Sequence, residues 1–252
     1  MISVVILTKN EEENIIDCLE KILWVDEIII IDDNSEDRTI EVIKSLNNGK
    51  IKIYERWLNN NFSEQRNFGL SKSTKEWVLF IDADERVSEE LKDELNSIVI
   101  NKDRKSIGFL IKRVDYIWGK KLKYGEVGNL KLLRFAKRGS GSWVGSVHEE
   151  WQIDGDVSEL EAELLHYPHP NVKEFLWEIN FYSSLKSKEL FENKIKMSPQ
   201  DTLLYPLGKF IRNYFFKLGF FDGLEGLVFA IMMSFHSFLV RGKLWLLWNK
   251  KL

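Results

Sequence analysis

Residues 77–84 read WVLFIDAD: five apolar residues, Trp77 to Ile81, then two aspartates, Asp82 and Asp84, separated by one alanine. A short unbroken apolar run predicts a strand buried on both faces, the habit of parallel sheets. Similar runs stand upstream at Ile2 to Leu7 (ISVVIL), Glu27 to Ile31 (EIIII) and Ile51 to Tyr54. Between them apolar residues recur at helical spacing: Ile15, Ile16, Leu19, Ile22 and Leu23 after a candidate cap at Asn10, then Ile40, Ile43 and Leu46 after Ser35 or Asp37. Ser63 opens a predicted helix to about Leu70, and Ser88 another with Leu91, Leu95, Ile98 and Val99 on one face; Gly108 to Val114 predicts a further strand.

Strands alternating with helices imply an α/β fold, with a parallel or mixed sheet covered on both faces. Ligands of such sheets bind just beyond the carboxyl ends of the strands. Three polar clusters fall there: Thr8-Lys9-Asn10-Glu11, Asp32-Asp33-Asn34-Ser35 and Asp82-Ala83-Asp84. The topology predicts that all three share one rim.

Composition narrows the function. The chain has 252 residues, and its 36 basic and 39 acidic residues leave a net charge of -3, unlike a dedicated nucleic-acid binder. A single cysteine, Cys18, excludes an intramolecular disulfide and any multi-cysteine metal site, and fits a reducing cytoplasm. The opening MISVVILT has neither the basic start nor the small-residue cleavage site of a secretory leader, so none is expected. The charge is uneven. Residues 203–252 carry seven basic and two acidic residues with twelve aromatics, which leaves -8 for residues 1–202. The longest uncharged stretch there, Gly226 to Val240, has fifteen residues, fewer than the ~20 of a membrane span. A basic, aromatic, apolar tail predicts contact with an anionic membrane surface; the competing reading is a buried helical hairpin or an oligomer interface.

The clusters themselves suggest chemistry. Two carboxylates at i and i+2 beyond a buried strand can converge on a hard divalent cation, Mg²⁺ or Mn²⁺, shared with a substrate diphosphate. Asp32 and Asp33 can hydrogen-bond a nucleotide base or ribose, or merely cap a helix, and Thr8, Asn10 and Glu11 carry the same ambiguity. Arg66, in Glu64-Gln65-Arg66-Asn67, can reach a phosphate or sit on a solvated helix face.

The stretches LTKNEEENI, IIIIDDNSEDRT, FSEQRNFGL and EWVLFIDADERVS, in this order and at these intervals, resemble the family 2 glycosyltransferases, and most closely their bacterial lipopolysaccharide-core β-glucosyltransferase (WaaE-like) group. The likeness continues through VHEEW, LLHYPHP, FFKLGFFDGLEGLVFA and LVRGKLW, and so covers nearly the whole chain. It implies a GT-A fold, a Rossmann-like mixed sheet flanked by helices, here with a helical, amphipathic C-terminal extension. It implies three regions: 1–112 for the nucleotide sugar, 113–170 for acceptor binding and catalysis, and 171–252 for membrane-surface or oligomer contact. It further implies metal-dependent, inverting transfer of a hexose, glucose in that group, from a UDP-sugar to a lipopolysaccharide-core or other lipid-linked glycan, on the cytoplasmic face of the inner membrane. Carried over, Thr8, Asn10, Glu11, Asp32, Asp33, Arg66 and Asp82 match nucleotide-binding positions, and Asp82 and Asp84 the metal-binding pair, with Asp84 the direct ligand.

Inverting transfer needs a carboxylate to take the acceptor hydroxyl's proton. Glu149 in VHEE is the expected base, His148 its neighbour, His166 a further metal or diphosphate contact and Glu126 a spare base. Two positions depart from the family pattern: Asn34 stands where a glycine is usual, and Gly128-Asn129 where an acidic residue is usual, which bears on the acceptor. Polyprenyl phosphate or a peptide side chain is the alternative acceptor. A non-catalytic α/β scaffold is disfavoured by the clustered carboxylates, and a nucleotidyltransferase by the lack of a glycine-rich basic opening loop.

Overall fold

The computed structural model describes residues 1–101, 103, 105–145 and 149–249. The order along the chain is β1 (Ile2–Thr8), α1 (Ile15–Glu20), β2 (Glu27–Asp32), α2 (Thr39–Ser45), β3 (Ile51–Glu55), α3 (Phe62–Lys72), β4 (Trp77–Asp82), β5 (Glu85–Val87), α4 (Glu89–Ile100), β6 (Gly108–Ile117), β7 (Lys120–Lys121), β8 (Leu130–Lys137), β9 (Gly141–Val144), β10 (Glu150–Ile153), β11 (Val157–His166), α5 (Val172–Glu192), α6 (Asp201–Ile211) and α7 (Gly223–Trp248). A π-helical turn, Arg212–Phe216, and a 3₁₀ turn, Gly219–Asp222, lie between α6 and α7. The chain forms two compact units, Met1–Arg113 with Lys131–His166, and Val114–Leu130 with Tyr167–Leu252.

In the first unit the main sheet has the order β3-β2-β1-β4-β8-β6-β11-β5; the end of β6, Tyr116 and Ile117, pairs with β7 in the second unit. β3, β2, β1 and β4 run parallel, and β4 pairs antiparallel with β8, so the sheet is mixed. β9 and β10 form a separate antiparallel pair. Alternation along β1 explains why these strands are apolar throughout. Val4 and Ile6 enter one core with Ile15, Leu19 and Leu91, while Val5 enters the other with Phe80, Trp143 and Trp151. Helix α3 packs tightly on that second face: a Cβ on Gly69 would lie 2.4 Å from Val5 Cγ1, so only glycine lets the helix carrying Arg66 come so near the sheet.

The caps follow the sequence at α4, where Ser88 accepts from Leu91 N, and differ at α1 and at α3, where Asn61 accepts from Glu64 N and Ser63, expected to open the helix, lies inside it and donates its hydroxyl to Asn61. Asn10 does not cap α1. It sits at φ 55°, donates its N–H to Ser35 Oγ and accepts Glu36 N–H at Oδ1, which ties the β1 loop to the β2 loop. The helix starts five residues later because this tether holds residues 9–14 outside it.

In the second unit Ile117, Leu122 and Val127 pack with Phe175, Ile179, Phe229 and Met232. Asn171 caps α5 by accepting Glu174 N–H. The segment Gly219–Trp248 is long and apolar enough to cross a membrane by length and composition, with mean hydropathy 1.6. The fifteen uncharged residues form part of this segment, and Arg241 and Lys243 lie within the same helix.

Glu27 anchors the far end of the parallel strands. It is buried and accepts from Ser3 Oγ, Lys52 Nζ and Thr74 N. Burial alone would raise its carboxyl, but these donors outweigh burial and lower it from 4.5 to about 2. A depressed folded-state value adds stability above pH 4.5 that is lost as the pH falls through about 2. Glu27→Gln is expected to cost about 2 kcal/mol at pH 7, with the gap to the native chain closing on acidification through that window, as measured by urea unfolding.

Candidate active site

The register brings the three clusters together. Thr8 pairs with Asp32 and Leu7 with Asp82, so the carboxyl ends of β1, β2 and β4 lie side by side. Strand order reverses at β1, between β2 and β4, the point at which open α/β sheets bind ligands.

On the β2 side, Asp32 is buried and accepts from Ser35 N and Ser35 Oγ at 2.8 and 2.5 Å. Asp33 accepts from Lys9 Nζ at 2.7 Å and from Leu58 N at 2.8 Å. Glu11 donates its N–H to Thr39 Oγ1 and accepts from Asn14 Nδ2. Two buried polar atoms here have no protein partner, Thr8 Oγ1 and Asn34 Nδ2. Asn34 takes φ 53°, the left-handed turn for which glycine is usual, and asparagine tolerates it. Unpaired buried donors and acceptors at a strand rim fit a polar ligand that completes them.

On the β4 side lies a buried ionic chain. Arg134 Nη2 donates to Asp82 Oδ2 and Arg66 Nη2 to Asp82 Oδ1, each at 2.9 Å, and Arg66 Nε donates to Glu149 Oε1 at 2.8 Å. The Arg66 guanidinium also lies 4.8 Å from the Trp143 ring centre. Glu85 accepts the Asp82 N–H at 2.9 Å and approaches Arg134 and Arg113 at 3.7 and 3.9 Å. Burial would raise the Asp82 carboxyl, but Arg134 and Arg66 outweigh it and hold Asp82 well below the usual carboxylate range. Burial raises Glu85 despite Arg134. Arg66 Nη1, Arg134 Nε and Arg134 Nη1 remain buried without a hydrogen-bond partner.

Asp84 points elsewhere. Its Oδ2 meets His166 Nε2, at the end of β11, at 3.1 Å. Burial would raise Asp84, but the charge and hydrogen bond of His166 pull it down. Among the described residues no three His, Cys, Asp or Glu side chains form a metal-holding group. The geometry thus pairs Asp84 with His166 and gives both oxygens of Asp82 to arginines. One carboxylate oxygen and one imidazole nitrogen fit Mg²⁺ or Mn²⁺, which accept few protein ligands when a diphosphate and water supply the rest. His148 lies outside the described residues. Glu126 lies in the second unit, held by Lys209 Nζ and Asn213 Nδ2.

The glycosyl transferase family 2 model matches residues 3–141. The chain belongs to glycosyl transferase family 2. An uncharacterized glycosyltransferase of Rickettsia typhi is 30% identical across 96% of this chain and 86% of its own length. The lipopolysaccharide core biosynthesis glycosyltransferase LpsC of Rhizobium meliloti is 28% identical across 97% and 92%. The structure of S. aureus TarS 1-349 in complex with UDP-GlcNAc is 15% identical, covers 99% of this chain and 92% of that one, and superposes with a TM-score of 0.52, a likeness of fold.

Two residues of the candidate site in this family 2 glycosyltransferase escape a reading of sequence alone, Arg134 and Glu85. Arg134 stands inside LKLLRFAK with Lys131 and Lys137, and nothing in the run marks one of the three basic residues as inward-facing. Its burial is the signal, and burial appears only once β8 is placed against β4. Removing one member of a buried ion chain leaves an uncompensated charge. Arg134→Ala is therefore expected to lower stability by about 3–5 kcal/mol, as measured by urea denaturation.

Proposed function

We propose that this glycosyltransferase moves a hexose, glucose first among them, from a UDP-sugar to a lipopolysaccharide-core or related surface-glycan acceptor with inversion. The observation that carries the reading is the Arg66 bridge, which holds the candidate base Glu149 and the strand-end carboxylate Asp82 on one guanidinium. Similarity to LpsC supports the acceptor class, and similarity of fold to TarS accords with a nucleotide-sugar donor.

In this reading Thr8, Asn10, Glu11, Asp32 and Asp33 line the nucleoside side. The free Thr8 Oγ1 and Asn34 Nδ2 answer the ligand's polar groups. Asp84 and His166 hold the divalent ion, whose chemistry when bound is to offset charge developing on the departing diphosphate. Arg66 keeps Glu149 oriented through Oε1, leaving Oε2 to take the acceptor hydroxyl's proton. The acceptor oxygen then forms the new bond to C1 as the C1–oxygen bond to UDP breaks and the electron pair leaves with the diphosphate. The acceptor being lipid-linked, the protein works peripherally on the cytoplasmic face of the inner membrane.

Glu149→Gln keeps the size and the contact with Arg66 but removes the base. UDP release from UDP-glucose with Mn²⁺ and a core-oligosaccharide acceptor is expected to fall about 10²–10⁴-fold, with UDP affinity unchanged. Near-normal turnover removes Glu149 from the role.

A further inference from the structure

Helix α6 and the turns after it leave an unusual surface on the second unit. No residue of α6 is buried. Leu203, Leu204, Leu207, Phe216, Phe221 and Leu224 are each more than half exposed, reaching 79% at Phe216. Contiguous apolar exposure of this kind marks a contact surface.

The charges around it are mostly basic. Asp201 opens α6, and the other acidic groups of the region are engaged: buried Asp222 accepts from Lys123 N and Tyr124 N, Glu225 pairs with Lys120, and Glu126, at the cavity wall, with Lys209. Arg212, Lys217 and Lys123 form no ion pair among the described residues. Lys123 and Lys217 line a cavity of about 420 Å³ together with Tyr124, Gly125, Glu126 and Asn129. The ring of Tyr124 meets Phe221 at 5.4 Å, so the cavity opens beside the aromatic residues. The turn is also rigidly built: a Cβ on Gly226 would lie 2.1 Å from Gly219 O, and Leu218 holds φ 59°.

We propose that this face docks on an anionic lipid bilayer, the cavity at Lys123 and Lys217 taking a lipid phosphate and the aromatic side chains entering the headgroup layer. The proposal names the site for the membrane contact in the preceding reading and rests on that part of it alone. A lysine pair beside exposed aromatics matches an anionic interface, where apolar burial and charge attraction add. A second copy of the chain fits less well. A two-fold interface brings each patch against its own image, so Arg212 and Lys217 would face like charge without a counter-ion. A spanning α7 also fits less well, because its polar positions are engaged within the unit. Lys243 Nζ donates to Asn180, Ser183 and Ser184 of α5, and the Arg241 guanidinium lies 3.8 Å from the Tyr205 ring centre of α6.

The test is sedimentation of the full chain with vesicles of phosphatidylcholine alone or mixed with phosphatidylglycerol. It is run on the native protein, on Lys123→Glu/Lys217→Glu and on Phe216→Ser/Phe221→Ser. The native chain is expected to pellet with the anionic vesicles, to be released by salt and by alkaline carbonate, and to stay monomeric in light scattering. The lysine pair contributes about thirty-fold in partition, roughly five-fold per residue, so its reversal is expected to abolish pelleting, and the aromatic pair to weaken it. UDP release with water as acceptor is expected to be equal in all three proteins. Equal pelleting with both vesicle types, undiminished pelleting of the lysine variant, resistance to carbonate, or a dimer that the aromatic variant dissolves overturns the proposal. Absence of UDP release from every protein, with pelleting as expected, overturns the donor reading and leaves the docking face intact.

Discussion

Asp82 is held between two arginines, Arg66 from α3 and Arg134 from β8, and the site is organised around that clasp. Buried guanidinium groups stay charged and carry a large desolvation cost, which carboxylates beside them offset. Asp82 meets two at once, and Arg66 passes the order on to Glu149. Three segments far apart in the chain are thereby fixed to one strand end. The arrangement also divides labour between the aspartates: Asp82 serves the arginines, and Asp84 turns to His166.

The sheet makes the clasp possible. Parallel pairing in register sets the ends of β1, β2 and β4 abreast, and the reversal of strand order at β1 opens the rim between them. Antiparallel β8 then supplies an arginine from the other side of β4, which a purely parallel sheet would place only after a crossover helix. Gly69 lets α3 settle close enough for Arg66 to reach across. Packing and chemistry are continuous here, since the α3 segment that fills the second core also delivers the cation of the site.

Much of this was legible in the residues. Apolar runs identify β1, β2 and β4, because a strand covered on both faces has no polar side. Ser88 announces its helix through a local hydrogen bond that depends on nothing distant. The spacing of the acidic clusters identifies the rim because strand ends in such a fold share one edge. What stayed hidden depends on contacts across long separations. Arg134 lies 52 residues from Asp82, and neither residue type nor spacing tells an inward arginine from an outward one. Asn10 misleads because its tether to Ser35 and Glu36 competes with the helix cap. The backbone at Lys123 and Tyr124 is held by the buried carboxylate of Asp222, about a hundred residues on, which no local pattern reveals.

In the proposed function Asp84, with His166, holds a divalent ion and, with it, the diphosphate of a nucleotide sugar. Isothermal titration of UDP into the native chain with Mn²⁺ or with EDTA, repeated on Asp84→Ala, tests it most directly. The account predicts binding that requires Mn²⁺ and is lost in a folded Asp84→Ala protein. Equal UDP binding in EDTA, or unchanged Mn²⁺-dependent binding by the variant, contradicts it.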